Sequence, residues 1–193
     1  MKWRCLLLVF LIHGLLQEAK EARAANARHL VEQSVSQGRP AHPAAAQVQP
    51  LAGVPASALE ILRADQTVSS CLEKQKLSPD HLPASWFSAS RIHLAGPDEN
   101  DLLVQPVFSP ERRQCFYGVE CCAWFWVFRQ AGKGYELVLK VFAGALSVRE
   151  SIWKGYRDIQ ASSANANGLT TLTFRFDGTR YKEFRKRTTY QNH

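Results

Sequence analysis

From Thr171 to Asp177 polar and apolar side chains alternate, with Leu172, Phe174 and Phe176 on one side and Thr171, Thr173, Arg175 and Asp177 on the other. A period of two predicts a half-buried strand. Asp177-Gly178 then predicts a tight turn, with Arg180 to Phe184 returning beside it as a hairpin. The same alternation runs through Trp86 to Leu94 and Asp101 to Val107, and the polar AGPDEN between them predicts a second hairpin. Cys122 to Phe128 is different, because CAWFWVF places bulky apolar side chains on both faces. Such a strand is expected to be covered on both sides. After a GKG turn comes Tyr135 to Phe142, where Leu137, Leu139 and Val141 are expected to share a face. Gly144 interrupts the pattern, Ala145 to Ser151 resumes it, and Tyr156 to Gln160 follows a Lys-Gly turn. Short strands joined by short turns predict a mainly β fold, α+β at the margin, built as one antiparallel meander or sandwich. Residues 56–187 form the expected β-rich globular domain.

Ahead of the strands, SALEILRADQTVSSCLEKQK carries Leu59, Leu62 and Leu72 at helical spacing. Two short helices are expected, one capped by Ser57 and the other by Thr67 or Ser69, with Cys71 turned toward the sheet. Residues 25–55 are rich in Ala, Gln, Pro and Ser and poor in large apolar side chains, which predicts a disordered leader. Residues 188–193 read as a disordered tail. At the other end, Met1-Lys2-Trp3-Arg4 precedes an apolar run from Cys5 to Leu16, followed by small residues around Ala22 and Ala24. This is the pattern of a signal peptide over residues 1–24. The run falls short of the roughly 20 apolar residues of a membrane-spanning helix, so no membrane span is expected after cleavage.

Charge changes the picture modestly. The chain carries 24 basic and 17 acidic residues, a net +7. Without residues 1–24 the balance is 20 to 15, or +5, and much of it lies near the C-terminus. An exported protein of this balance fits acidic polymers or envelope surfaces, and nucleic acid is not an expected partner. Loss of Cys5 leaves Cys71, Cys115, Cys121 and Cys122, an even number suited to an oxidising compartment. Four cysteines allow three pairings. If Cys121 and Cys122 begin a strand, their side chains point to opposite faces, so one would bond Cys115 across FYGVE and the other would reach Cys71. One bond with two buried thiols is the alternative. Zinc is not expected, since no paired C-x-x-C units occur and no histidine lies near.

The order WFSASRIHLAG, DLLVQP, CFYGVECCAWFWVFR, GYELVL, GYRDI and FRFDGTRY, over residues 56–184, resembles a group of small exported bacterial proteins of uncharacterised function. The resemblance implies an exported β domain and no particular activity. Its relatives carry a loop distantly like a degenerate FG-GAP calcium repeat, for which this chain offers Asp98, Glu99, Asn100 and Asp101 in GPDENDLL. Leu102 stands where the sharp turn of a calcium loop needs glycine, so an acidic hairpin turn is the expected reading and neither metal nor cofactor is expected.

Hydrolase signatures are missing: neither G-x-S-x-G nor H-E-x-x-H occurs, and His81 and His93 have no partner at catalytic spacing. Asp158 meeting Asp177 would suggest acid and base work, but the Asp-Gly turn already accounts for Asp177. The run RYKEFRKR supplies Arg180, Tyr181 and Lys182 ahead of Phe184 and Arg185, as either a charged edge strand or a polyanion contact. Trp153 offers a sugar-stacking surface, as would any exposed face of Trp124 or Trp126. The candidate binding residues are therefore Trp153, Arg157, Asp158, Arg180, Tyr181 and Lys182. The expected function is a non-enzymatic, envelope-associated binding module, periplasmic or secreted, whose partner is an envelope protein or cell-wall polymer. The alternative is an inhibitor or immunity-type protein that blocks a cell-wall hydrolase through a rigid loop such as FYGVE.

Overall fold

A computed structural model describes residues 49–118, 121–166 and 168–190. The expected signal peptide and the leader up to residue 48 lie outside the described residues. The fold is mainly β, with two antiparallel sheets and three short helices. Helix α1 spans Ala56–Ala64, α2 Gln66–Lys74 and α3 Arg113–Phe116. The first sheet has the order β1 (Gln49–Pro50), β2 (Phe87–Ile92), β3 (Asp101–Pro106), β4 (Ala123–Ala131) and β5 (Gly134–Ala143). The second has β6 (Ala145–Trp153), β7 (Tyr156–Asn165), β8 (Gly168–Phe176) and β9 (Tyr181–Tyr190). Each sheet is a meander in chain order with every neighbouring pair antiparallel; short turns join the strands of the second sheet, whereas residues 51–86 and 107–122 of the first carry the helices.

Two apolar clusters separate three layers. Leu62, Val68 and Leu72 of the helices meet Phe87, Trp126 and Phe128 on one face of the first sheet. Phe116 of α3 packs edge-on to Trp86, Phe87 and Trp126, at centroid distances of 6.0, 5.6 and 6.3 Å. On the opposite face Phe125, Val127, Leu139 and Val141 meet Ile159, Ala161, Phe174 and Phe176 of the second sheet. Strand β4 is thus covered on both sides, as its doubly apolar pattern requires.

Local chemistry shows why the helices break where they do. Pro55 precedes α1, and its carbonyl accepts from the Ala58 and Leu59 amides. The cap of α2 is Asp65, whose carboxylate accepts from the Thr67 and Val68 amides at 3.0 and 3.3 Å. Ser57, Thr67 and Ser69 were the expected caps. All three lie inside the helices, whereas a cap must stand one residue outside, where its oxygen reaches back to free amides. Lys140 of β5 binds Asp65 at 2.8 Å and so ties this cap to the first sheet.

A bulge corrects the expected face of β5. Phe128 pairs with Leu137 and Val127 with Leu139, so Val138 is the extra residue. Leu137 therefore joins the helix-side cluster, while Leu139 and Val141 face the second sheet. The chain passes between sheets at Gly144, where a Cβ would stand 3.2 Å from the Ser162 carbonyl and 3.5 Å from that of Cys121. A side chain there would press on the neighbouring backbone, which would have to give by a few tenths of an ångström. Strand β1 begins inside the stretch expected as leader, and β9 runs three residues into the stretch expected as tail.

The disulfides are Cys71–Cys115, linking α2 to α3, and Cys121–Cys122 between neighbours. Both expected bonds from Cys121 and Cys122 are thereby replaced. The reason is local: β4 starts only at Ala123, so the two cysteines precede the strand and its alternation does not part their side chains. Two disulfides are compatible with an oxidising, exported location. Among the described residues no helix is long and apolar enough to cross a membrane.

Candidate functional site

Among the described residues, one face of the second sheet is used in the core. Its two-residue period places Asp158, Gln160 and Ser162 of β7 on the other face, together with Thr171, Thr173 and Arg175 of β8. Register aligns Gln160 with Ser147 and Thr173, and Ser162 with Thr171. On β9, Lys182, Arg185 and Arg187 stand beside Arg175, Thr173 and Thr171 respectively. The outer face is thus a floor of hydroxyl and amide groups with a basic rim.

A tighter cluster closes one end of this floor. The Asp158 side chain is 5 % exposed and accepts Nε of Arg175 on both oxygens at 3.3 Å. Ser151 Oγ donates to the same carboxylate at 2.9 Å. The Arg175 guanidinium lies 3.6 Å from the Phe184 ring centroid and 5.1 Å from the Trp153 ring. Both rings are about half exposed, at 46 % for Trp153 and 49 % for Phe184. Phe184 comes to this side at a bulge, because Thr173 pairs with Arg185 while Phe174 pairs with Glu183. The arginine is consequently held from below by a buried carboxylate and bracketed by two aromatic faces. Each contact strengthens in the partly desolvated setting.

The expected candidates divide between the two faces. Trp153, Asp158 and Lys182 belong to the outer side, with Asp158 acting from beneath Arg175. Tyr181 does not join them. It is 5 % exposed in the inter-sheet core, and its hydroxyl donates to the Arg157 carbonyl at 2.8 Å. Burial first, then the Asp101 and Asp158 charges, push its phenol far above the usual range. Arg157 joins the layers through its backbone, donating its amide to the Leu94 carbonyl at 2.7 Å. Arg180 lies at the β8–β9 turn, where its amide donates to Asp177. Of the residues not singled out in the sequence, Arg175 is central; its polar place in the Leu172–Phe176 alternation was legible, its neighbours were not.

Other constellations resolve into structural roles. Asp177 accepts from the Thr179 and Arg180 amides and binds Lys182 at 2.7 Å, which holds its carboxyl well below the usual range. Asp158 and Asp177 thus serve separate partners. The fully buried Asp101 accepts from the Leu94 and Gln130 amides, each at 2.9 Å, joining the β2–β3 turn to β4. The Glu99 carboxyl beside it is raised, by burial first and by Asp101 second. His93 Nδ1 lies 2.8 Å from the Glu99 carbonyl. Among the described residues no three His, Cys, Asp or Glu side chains converge as metal ligands. Trp126 is core, and Trp124 packs beside Phe142 and Lys140 on the first sheet. Cys115 bonds Cys71, so it does not close the FYGVE turn. No family model, curated protein or solved structure matches this chain.

Proposed function

We propose that this is a non-enzymatic binding module, periplasmic or secreted, that holds an acidic envelope polymer on the outer face of its second sheet. The observation that carries this reading is an asymmetry of charge within one sandwich. Residues 145–190 contain nine basic and four acidic side chains, a net +5, whereas residues 49–144 contain nine and ten, a net −1. Charges on β9 alone would be explained by protection of a sheet edge. Arg175 lies on an interior strand, and the half-exposed rings of Trp153 and Phe184, one from each edge strand, turn onto it. The two disulfides are compatible with the same compartment.

Retention of the purified domain on insoluble acidic wall polymer, compared with a neutral polysaccharide, tests the proposal. Retention is expected on the acidic polymer only, and it should weaken as salt screens the rim. The double variant Arg185→Glu, Arg187→Glu, both on the outer face, should abolish it. Equal retention by that variant, or no retention of the native protein, would overturn the proposal.

A further inference from the structure

The cluster at the end of the floor has more specificity than a basic rim requires. We infer that Trp153, Arg175 and Phe184 form a clamp for the carboxylated pyranose units of an acidic polysaccharide, a conclusion that rests on the proposed binding role of this face. The Nε edge of Arg175 is committed to Asp158 and the side chain is 30 % exposed, which leaves its Nη nitrogens to meet a ligand. Its fork is thereby fixed before any ligand arrives. A planar carboxylate matches such a fork with two parallel hydrogen bonds.

The aromatic walls decide among anions. With its carbon 3.6 Å from the Phe184 centroid, the guanidinium is in direct contact with that ring face, and Trp153 limits the other approach. A carboxylate lies in the guanidinium plane and fits between the walls. A tetrahedral sulfate or phosphate also pairs with the fork, but its remaining oxygen atoms leave that plane toward the negative ring faces. The exposed parts of both rings then offer stacking surface to the apolar C–H faces of a sugar. Beyond the clamp, Gln160 with Thr173 and Ser162 with Thr171 provide hydroxyl and amide partners at successive levels. Arg185 and Arg187 repeat a positive charge at those same levels. This arrangement follows a chain of acidic sugars and not a single small anion.

The full chain would be titrated calorimetrically with a hexuronic acid oligomer, its methyl ester, a sulfated oligosaccharide and polyphosphate, matched in length. The uronate is expected to bind at least about tenfold more tightly than the ester and the two tetrahedral anions. Arg175→Lys keeps the charge and loses the fork, so it should erase the preference for uronate over sulfate while leaving salt-dependent binding in place. Trp153→Ala, at an exposed position, should weaken uronate binding by about tenfold in a folded protein. Equal or tighter binding of sulfate or polyphosphate, or unchanged selectivity in both variants, would overturn the clamp while the wider polyanion role stood. Binding of none of the four would overturn both.

Discussion

The two sheets are made of similar strands and differ in what covers them. The first has helices on one side and the second sheet on the other, so β4 buries Phe125, Trp126, Val127 and Phe128 in succession. Among the described residues the second is covered on one side, and its outer side carries Arg175, Trp153 and Phe184. A large aromatic residue therefore means different things in the two places. Trp126 in the first sheet is packing; Trp153 on the outer face of the second is surface beside an arginine.

Substituting one tryptophan from each sheet tests that contrast most sharply. Trp126 is fully buried, and Trp126→Ala should cost about 4 kcal/mol in denaturant unfolding. Trp153→Ala should cost less than about 1 kcal/mol, and comparable losses at both positions would break the distinction. The disulfides supply a similar comparison within the first half. Removing Cys71–Cys115, which spans 44 residues, should cost about 4 kcal/mol by loop entropy. Replacing Cys121 and Cys122 together should cost far less, because their bond closes almost no chain. Thermal or urea melts of the two double variants would show it.

Asp158→Ala should have an intermediate effect, about 2 kcal/mol, because Arg175 loses its carboxylate yet keeps partial solvation and its aromatic neighbours. It should also loosen the ring contacts, visible as a change in Trp153 fluorescence. The smallest effects are those of pH. Asp177 is lowered in the folded protein, so its contribution is present above the ordinary aspartate range and is lost progressively as pH falls from that range through the lowered folded value. Asp177→Asn should flatten the acid limb of a stability profile. Glu99 is raised, so the folded state binds its proton more tightly than the unfolded chain does. Stability should then fall as pH climbs from the ordinary glutamate range through the raised value, and Glu99→Gln should remove that fall.

Much of the architecture was legible because turns and periodicity act over few residues. The Asp177-Gly178 hairpin, the β2–β3 pair and the double covering of β4 follow from local chemistry. Errors arose where a single residue changed a count. The bulge at Val138 reassigned Leu137, and the late start of β4 at Ala123 freed Cys121 and Cys122 to bond one another. The helix cap fell to Asp65 because the break between helices, invisible in their leucine spacing, lies at that residue.

The candidate site was legible only in pieces. Asp158, Trp153 and Lys182 stood out by type, while Arg175 looked like an ordinary outward residue and Tyr181 like a companion of Phe184. Composition and alternation by themselves determined a mainly β domain with paired cysteines and a basic C-terminal half, since these depend on residue identity and short-range geometry. Tertiary structure decided which face of the second sheet stays open, sent Tyr181 inward, and set Arg175 over Asp158 between two rings. Those outcomes depend on register between strands distant in sequence, where one residue of slip exchanges the faces.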